Sequence, residues 1–244
     1  MLRKLLLIAL VACNADAAGP APIGDGAHVL FVGNSLSYWN DMPAMVQALG
    51  ASAGIALDVQ IVGKPNFSLE GHWADGEALA AIARGGWDVV ILQQGPSALA
   101  ASRVNLLQWA DSFNVRIRAI GARPALYQVW PAGADLATNF NASLESYRLA
   151  AVQVNGQLLP AGGAWQRAWA TTPSLGLYGP DQFHPSWLGS YVAAITIYGG
   201  LTGNTPVGLP ASVGSGSTSA ATAALVQTAA ADALAAAGVA TVRR

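Results

Sequence analysis

Short apolar runs, each about one strand long, alternate along this chain with stretches in which apolar residues return every three or four positions. A parallel sheet covered by helices on both faces accommodates that alternation, and few other folds do. The strand candidates are Val29 to Val32, Leu57 to Val62, Asp88 to Leu92 and Ala125 to Trp130, with a weaker one from Leu158 to Trp165. Asp88-Val-Val-Ile-Leu92 is nearly continuous and β-branched, as a strand buried on both faces requires. Asp41 and Pro43 open a helical period of Met42, Met45, Val46 and Leu49 that stops at Gly54, and Asp75 opens a shorter one through Leu79 and Ile82 to Gly85-Gly86. Ser102 can cap a stripe of Leu106, Trp109, Phe113, Ile117 and Ile120; further helices are expected from Ser143 to Asn155 and around Leu188, Val192 and Ile195. The expected fold is therefore α/β, a three-layer α/β/α sandwich around a five-stranded parallel sheet of flavodoxin-like type.

The 244 residues, 53% hydrophobic and 10% charged, suffice for one sizeable core and fall short of two. The division expected is an export signal over 1–18, the main domain over 27–204, and over 205–244 a linker, PASVGSGSTSA, with an alanine-rich helix of modest packing value. The mean hydropathy of +0.38 owes much to Ala and Gly rather than to any long apolar segment. A net charge of −1 without a basic cluster past the first residues argues against nucleic acid or an anionic surface as partner.

The amino terminus, MLRKLLLIALVACNADAAGPAP, has the basic, apolar and small-residue regions of an export signal. Two processing sites compete. Leu10-Val11-Ala12-Cys13 is similar to a bacterial lipobox, which would attach the protein to a membrane through a lipidated Cys13; Ala15-Asp16-Ala17 is a signal-peptidase pattern. Cys13 is the one cysteine, so neither a disulfide within the chain nor a thiol nucleophile in the mature protein is available.

In parallel sheets ligands bind beyond the carboxyl ends of the strands. Ser35, Asn66 and the pair Gln93-Gln94 each follow an expected strand and so belong to that rim. A serine hydroxyl becomes a nucleophile when a base takes its proton and a third group orients the base. Of the three histidines, His28 opens the first strand at the far rim, and His72 has no acidic residue three positions ahead of it. His184 has Asp181 at that offset, within reach of a single turn. No Cys/His cluster has metal-ligand spacing, and no phosphate or dinucleotide loop is present, so no metal or cofactor is expected. Taken alone, Ser35 also fits an ordinary strand-end serine and Asp181-x-x-His184-Pro185 a helix cap.

Gly33-Asn34-Ser35-Leu36 and Asp181-x-x-His184, in this order over most of the chain, resemble the first and last blocks of the SGNH (GDSL-type) hydrolases, with Asn34 where Asp is commoner. The resemblance implies a Ser35 nucleophile, a His184 base, an orienting Asp181, and an oxyanion site built from the Ser35 N–H, a Gly N–H after the second strand and an Asn side chain after the third. Two positions depart from the pattern. After the second strand Asn66 is favoured over Gly63, because Asn tolerates a left-handed backbone. In place of G-x-N-D stands LQQGPS, a variant found in a bacterial subset, where Gln93, or failing it Gln94, would donate the third hydrogen bond.

The resulting expectation is an exported serine esterase acting on short acyl esters, acetyl among them, of a small molecule or carbohydrate. Trp39, Trp73 and Trp187 flank the three site segments and serve either sugar stacking or packing. An acyltransferase with a sugar acceptor and a surface-anchored binding module of the same fold are the alternatives.

Overall fold

The computed structural model describes residues 21–242. The segment expected to be an export signal, with Cys13 and Ala15-Asp16-Ala17, lies outside the described residues. In chain order the elements are β1 (Ala27–Gly33), α1 (Ser35–Tyr38), α2 (Met42–Ser52), β2 (Leu57–Gly63), α3 (Leu69–Asp75), α4 (Glu77–Ala83), β3 (Val89–Leu92), α5 (Ala100–Ala119), β4 (Arg123–Tyr127), α6 (Leu136–Gln153), β5 (Gln157–Leu159), α7 (Ala161–Thr171), α8 (Trp187–Thr202), β6 (Ser212–Val213), β7 (Gly216–Ser217) and α9 (Ala220–Ala236).

The five expected strands pair in parallel in the order β2-β1-β3-β4-β5. Burial explains their sequences. Every residue of β3 is buried and β1 exposes only His28, so both are near-continuous apolar runs, whereas the edge strand β2 alternates and carries Asp58 and Gln60. One face is covered by α2, α7, α8 and α9 and the other by α3 to α6, which completes the three layers. No helix among the described residues is long and apolar enough to cross a membrane.

Several expectations are corrected. The run from Leu158 to Trp165 is not one strand: β5 ends at Leu159, and after Pro160 the chain turns into α7. Pro160 lacks the N–H to continue a ladder, and Gly162 lets the new helix approach the segment just after β4, since a Cβ there would lie 2.7 Å from the Val129 carbonyl oxygen. The loop after β2 holds an unexpected helix, α3, capped by Ser68 Oγ, which accepts the Gly71 N–H; the helix expected from Asp75 is α4, which opens two residues later at Glu77, after the left-handed Gly76. Asp41 makes no capping bond, and the helix assigned to a Ser102 cap starts at Ala100, with Ser102 bonding back to the Leu99 backbone. α6 begins at Leu136, ahead of the expected Ser143.

The expected linker and weakly packed terminal helix are also corrected. Residues 212–217 form a hairpin, and α9 buries Val226, Ala229, Ala230, Ala233 and Leu234 against α7 and α8. The reason lies in α8: a Cβ at Gly199 would sit 2.7 Å from Leu234 Cδ1, so this glycine leaves the space that α9 fills.

Candidate active site

The chain reverses its direction of strand addition between β1 and β3, so the carboxyl end of β1 opens onto a crevice at the topological switch point. Ser35 stands there as the first residue of α1. Asn34 caps that turn: it is extended (φ −116°, ψ −158°), and its Oδ1 accepts the Leu36 N–H at 3.1 Å. The cap is tied to the rest of the rim. Gln93 Oε1 accepts the Asn34 N–H at 2.9 Å and the Ser37 hydroxyl at 2.7 Å, Gln93 Nε2 donates to Asn34 Oδ1 at 3.0 Å, and Asn34 Nδ2 donates to the Phe67 carbonyl at 3.0 Å. Such closeness requires glycine at 33, where a Cβ would lie 2.5 Å from both Gln93 Oε1 and Ser37 Oγ.

From the other end of the chain, the loop before α8 brings His184 and Asp181. Ser35 Oγ is 2.8 Å from His184 Nε2, and His184 Nδ1 is 2.5 Å from Asp181 Oδ2. Because a carboxylate accepts, the pairing assigns the proton to Nδ1 and leaves the Nε2 lone pair toward the Ser35 O–H. Asp181 Oδ1 accepts the N–H groups of Phe183 (3.0 Å) and His184 (2.9 Å). The His184 bond first, and then the Phe183 N–H, hold the Asp181 carboxyl below its usual range. Gln182 is left-handed (φ 57°), and the loop is pinned where Gly133 N–H donates to the Gln182 carbonyl at 2.7 Å and Gly179 N–H to the His184 carbonyl at 2.8 Å.

Asn66 adopts the left-handed backbone (φ 60°), and its N–H has no acceptor among the described residues. The Ser35 N–H, at the start of a helical turn, has none either. Both residues line a cleft of about 480 Å³ together with Phe67, Gln94, Asp135 and Phe183. Gly63 is elsewhere, paired with Gly33 in the sheet, where a Cβ would press on Tyr38 at 2.8 Å.

The glutamines separate. Gln93 is wholly buried, and both Nε2 hydrogens are engaged, on Asn34 Oδ1 and on the Gln94 carbonyl, so the expected donor at 93 is directed into the wall rather than the cleft. Gln94 lines the cleft; its Oε1 accepts the Leu69 N–H at 3.0 Å and its Nε2 gives one hydrogen to Ser97 Oγ at 2.9 Å, leaving the second. Tyr147 fixes that backbone: its hydroxyl donates to the Gln94 carbonyl at 2.6 Å and accepts the Gln94 N–H at 3.1 Å, and burial pushes its phenol far above the ordinary value.

Packing accounts for Trp73, against Trp109 and Phe113, and for Trp187, stacked on Tyr191. Trp39 stacks on His184 itself, with ring centroids 4.1 Å apart and planes 17° from parallel. Sequence reasoning missed that contact, and it missed His72, which lies fully buried beneath the site with Nε2 2.9 Å from the Gly33 carbonyl oxygen. Its Nδ1 is the buried side-chain polar atom without a partner among the described residues. His28 pairs with Asp58 at the opposite end of β1. A larger groove of about 610 Å³ beside β5 holds none of the candidate site residues. Among the described residues no group of three His, Cys, Asp or Glu side chains is placed to hold a metal.

No protein-family model matches the sequence, and no curated protein is significantly similar to it. Solved structures do match. A DUF4886 family protein from Bacteroides uniformis aligns with a TM-score of 0.74 and 21% identity over 88% of this chain and 97% of its own. A protein from Slackia heliotrinireducens, provisionally described as an SGNH hydrolase, aligns at 0.62 with 24% identity over 71% and 98%. A variant of an acetyl-xylooligosaccharide esterase from Geobacillus aligns at 0.58 with 14% identity over 74% and 96%. The fold of this chain is that of the SGNH/GDSL-type hydrolases.

Proposed function

We propose that the protein is an exported serine esterase that removes short acyl groups, acetyl among them, from a small-molecule or carbohydrate alcohol. The observation that carries this reading is the bonded series Ser35–His184–Asp181, assembled from residues 149 apart in the chain. Ser35 Oγ attacks the ester carbonyl as its proton passes to His184 Nε2. Asp181 holds the imidazolium in place, and the alcohol leaves with that proton. Water, deprotonated by His184, then splits the acyl-serine to release the acid and free Ser35. The negative charge on the former carbonyl oxygen is met by the unengaged N–H groups of Ser35 and Asn66. Gln94, rather than Gln93, supplies the third donor through its remaining Nε2 hydrogen. The acetyl-ester substrate of the Geobacillus structure supports the choice of acyl group.

Hydrolysis of p-nitrophenyl acetate by wild type and Ser35→Ala tests the reading. Loss of a triad nucleophile removes on the order of three or more decades of turnover, and circular dichroism checks that the variant is folded. Equal rates in both proteins would reject the esterase and favour a binding module. For export, Cys13→Ala should leave the precursor unprocessed if the lipobox is used; cleavage after Ala17 instead predicts normal processing of that variant.

A further inference from the structure

We propose that Trp39 and Asn40 are positioning residues for His184, a clamp that fixes the base's loop to the nucleophile's own segment; the proposal rests on the esterase reading above. Two parts of the chain 149 residues apart must meet within hydrogen-bonding distance, and the Ser35–His184 bond alone is exchangeable with water. Directly after α1 the chain makes a second connection. Asn40 Nδ2 donates to the Pro185 carbonyl at 3.1 Å, one residue past His184, and to Ser190 Oγ at 2.9 Å in the first turn of α8. Ser190 Oγ in turn lies 3.3 Å from the Trp39 carbonyl oxygen, to which it donates. The Trp39 indole meanwhile covers one face of the His184 ring.

The backbone of this connection is strained. Asn40 (φ 55°, ψ 22°) and Asp41 (φ 54°, ψ 44°) are consecutive left-handed residues, neither of them glycine. Asn and Asp tolerate that region best, and such a conformation persists where surrounding bonds over-determine it. The two Asn40 bonds do so. The turn thereby places Trp39 against the imidazole, where it blocks rotation away from Ser35. A protonated imidazole is attracted to an indole face, so the stack is stronger while His184 holds the Ser35 proton. Asp181 is the charged group recorded in contact with the ring; Ser35, Trp39 and Phe183 bring none. Trp39 is 41% exposed, and neither it nor His184 is among the residues of the cleft wall, so a positioning role and a platform for the substrate are told apart by how kcat and KM respond.

The test uses Trp39→Leu, Trp39→Phe and Asn40→Ala in the mature protein. Small misplacement of a catalytic group costs up to about a hundredfold, so Trp39→Leu and Asn40→Ala are expected to lower kcat on p-nitrophenyl acetate about tenfold or more, with KM within about twofold. Trp39→Phe, which keeps a stacking ring, should recover most of the loss. A readout independent of turnover is the proton NMR of His184, assigned with His184→Gln: the indole ring current displaces its ring protons upfield in wild type, and the displacement should vanish in Trp39→Leu and diminish in Asn40→Ala. A rise in KM with kcat unchanged would overturn the proposal in favour of a substrate platform. Unmoved resonances in both variants would overturn it outright, as would unchanged kcat. If wild type shows no Ser35-dependent turnover, the esterase reading fails by itself, and the resonances alone decide whether the clamp exists.

Discussion

His72 shows how the setting of Ser35 depends on a residue that never reaches the cleft. Its Nε2–H supports the Gly33 carbonyl, which also receives the Lys64 N–H at 3.1 Å, while its Nδ1 has no partner among the described residues. A second proton would therefore enter a buried site without an acceptor, and burial holds the imidazole below its ordinary value of 6.5, with Asp75 and Lys64 acting in opposite senses nearby. The unfolded chain takes up that proton as the pH falls through about 6.5, whereas the folded chain resists until lower pH. The contribution to stability is thus complete above 6.5 and is lost as the pH falls toward the folded value. The melting temperature of wild type should drop between about pH 7 and 5, and His72→Gln, which can still donate toward Gly33, should show a flatter profile over that window. Parallel profiles would show that His72 does not titrate there. Nothing in the sequence around His72 reveals this role, because it depends on α3 folding back beneath β1, a contact between residues 39 apart.

At the level of elements, legibility followed periodicity and failed where small residues carried the packing. The five strands were readable because burial on both faces leaves an unbroken apolar signature in β1, β3 and β4. The turn at Ser35 was readable because an Asn and a Ser directly follow β1. The start of α7 was not, since LLPAGGAW has the same apolar character as strand or helix, and only Pro160 marks the break. α9 was misjudged for a related reason: a run of alanines has little apolar area per residue, and its docking depends on Gly199 one helix away. Leu234, with no exposed surface, is the plug of that contact. Leu234→Ala should cost about 2–5 kcal/mol in urea denaturation, as other buried leucine truncations do, while leaving kcat/KM on p-nitrophenyl acetate within about twofold because α9 contributes no group to the cleft. A loss well under 1 kcal/mol would restore the view of this helix as an appendage.

Across the whole molecule, the site is made by topology. The switch between β1 and β3 opens the crevice, β1 delivers Ser35 into it, and the loop before α8 returns Asp181 and His184 over a rim of Asn66 and Gln94. The order of motifs along the chain made the meeting of Ser35, His184 and Asp181 legible; which glutamine faces the cleft was not, because adjacent glutamines at a strand end point to opposite sides and only the hydrogen bonds of Gln93 with Asn34 show which is spent. The same geometry limits the substrate. The cleft holds about 480 Å³, and its walls interleave Phe67, Pro96 and Phe183 with Ser68, Asn105 and Asp135. A long acyl chain laid there would cover polar groups without replacing their hydrogen bonds, so each added methylene gains little of the roughly 0.8 kcal/mol that full burial gives. Among p-nitrophenyl esters, kcat/KM should accordingly fall about tenfold or more from acetate to octanoate, instead of rising with chain length as it does when every methylene is buried. With a net charge of −1, that profile should hold from about 0.05 to 0.5 M salt, since no strong field steers a neutral ester. Rates that climb through octanoate would mean that the cleft opens into an apolar channel, and the short-acyl assignment would then be wrong even with the triad intact.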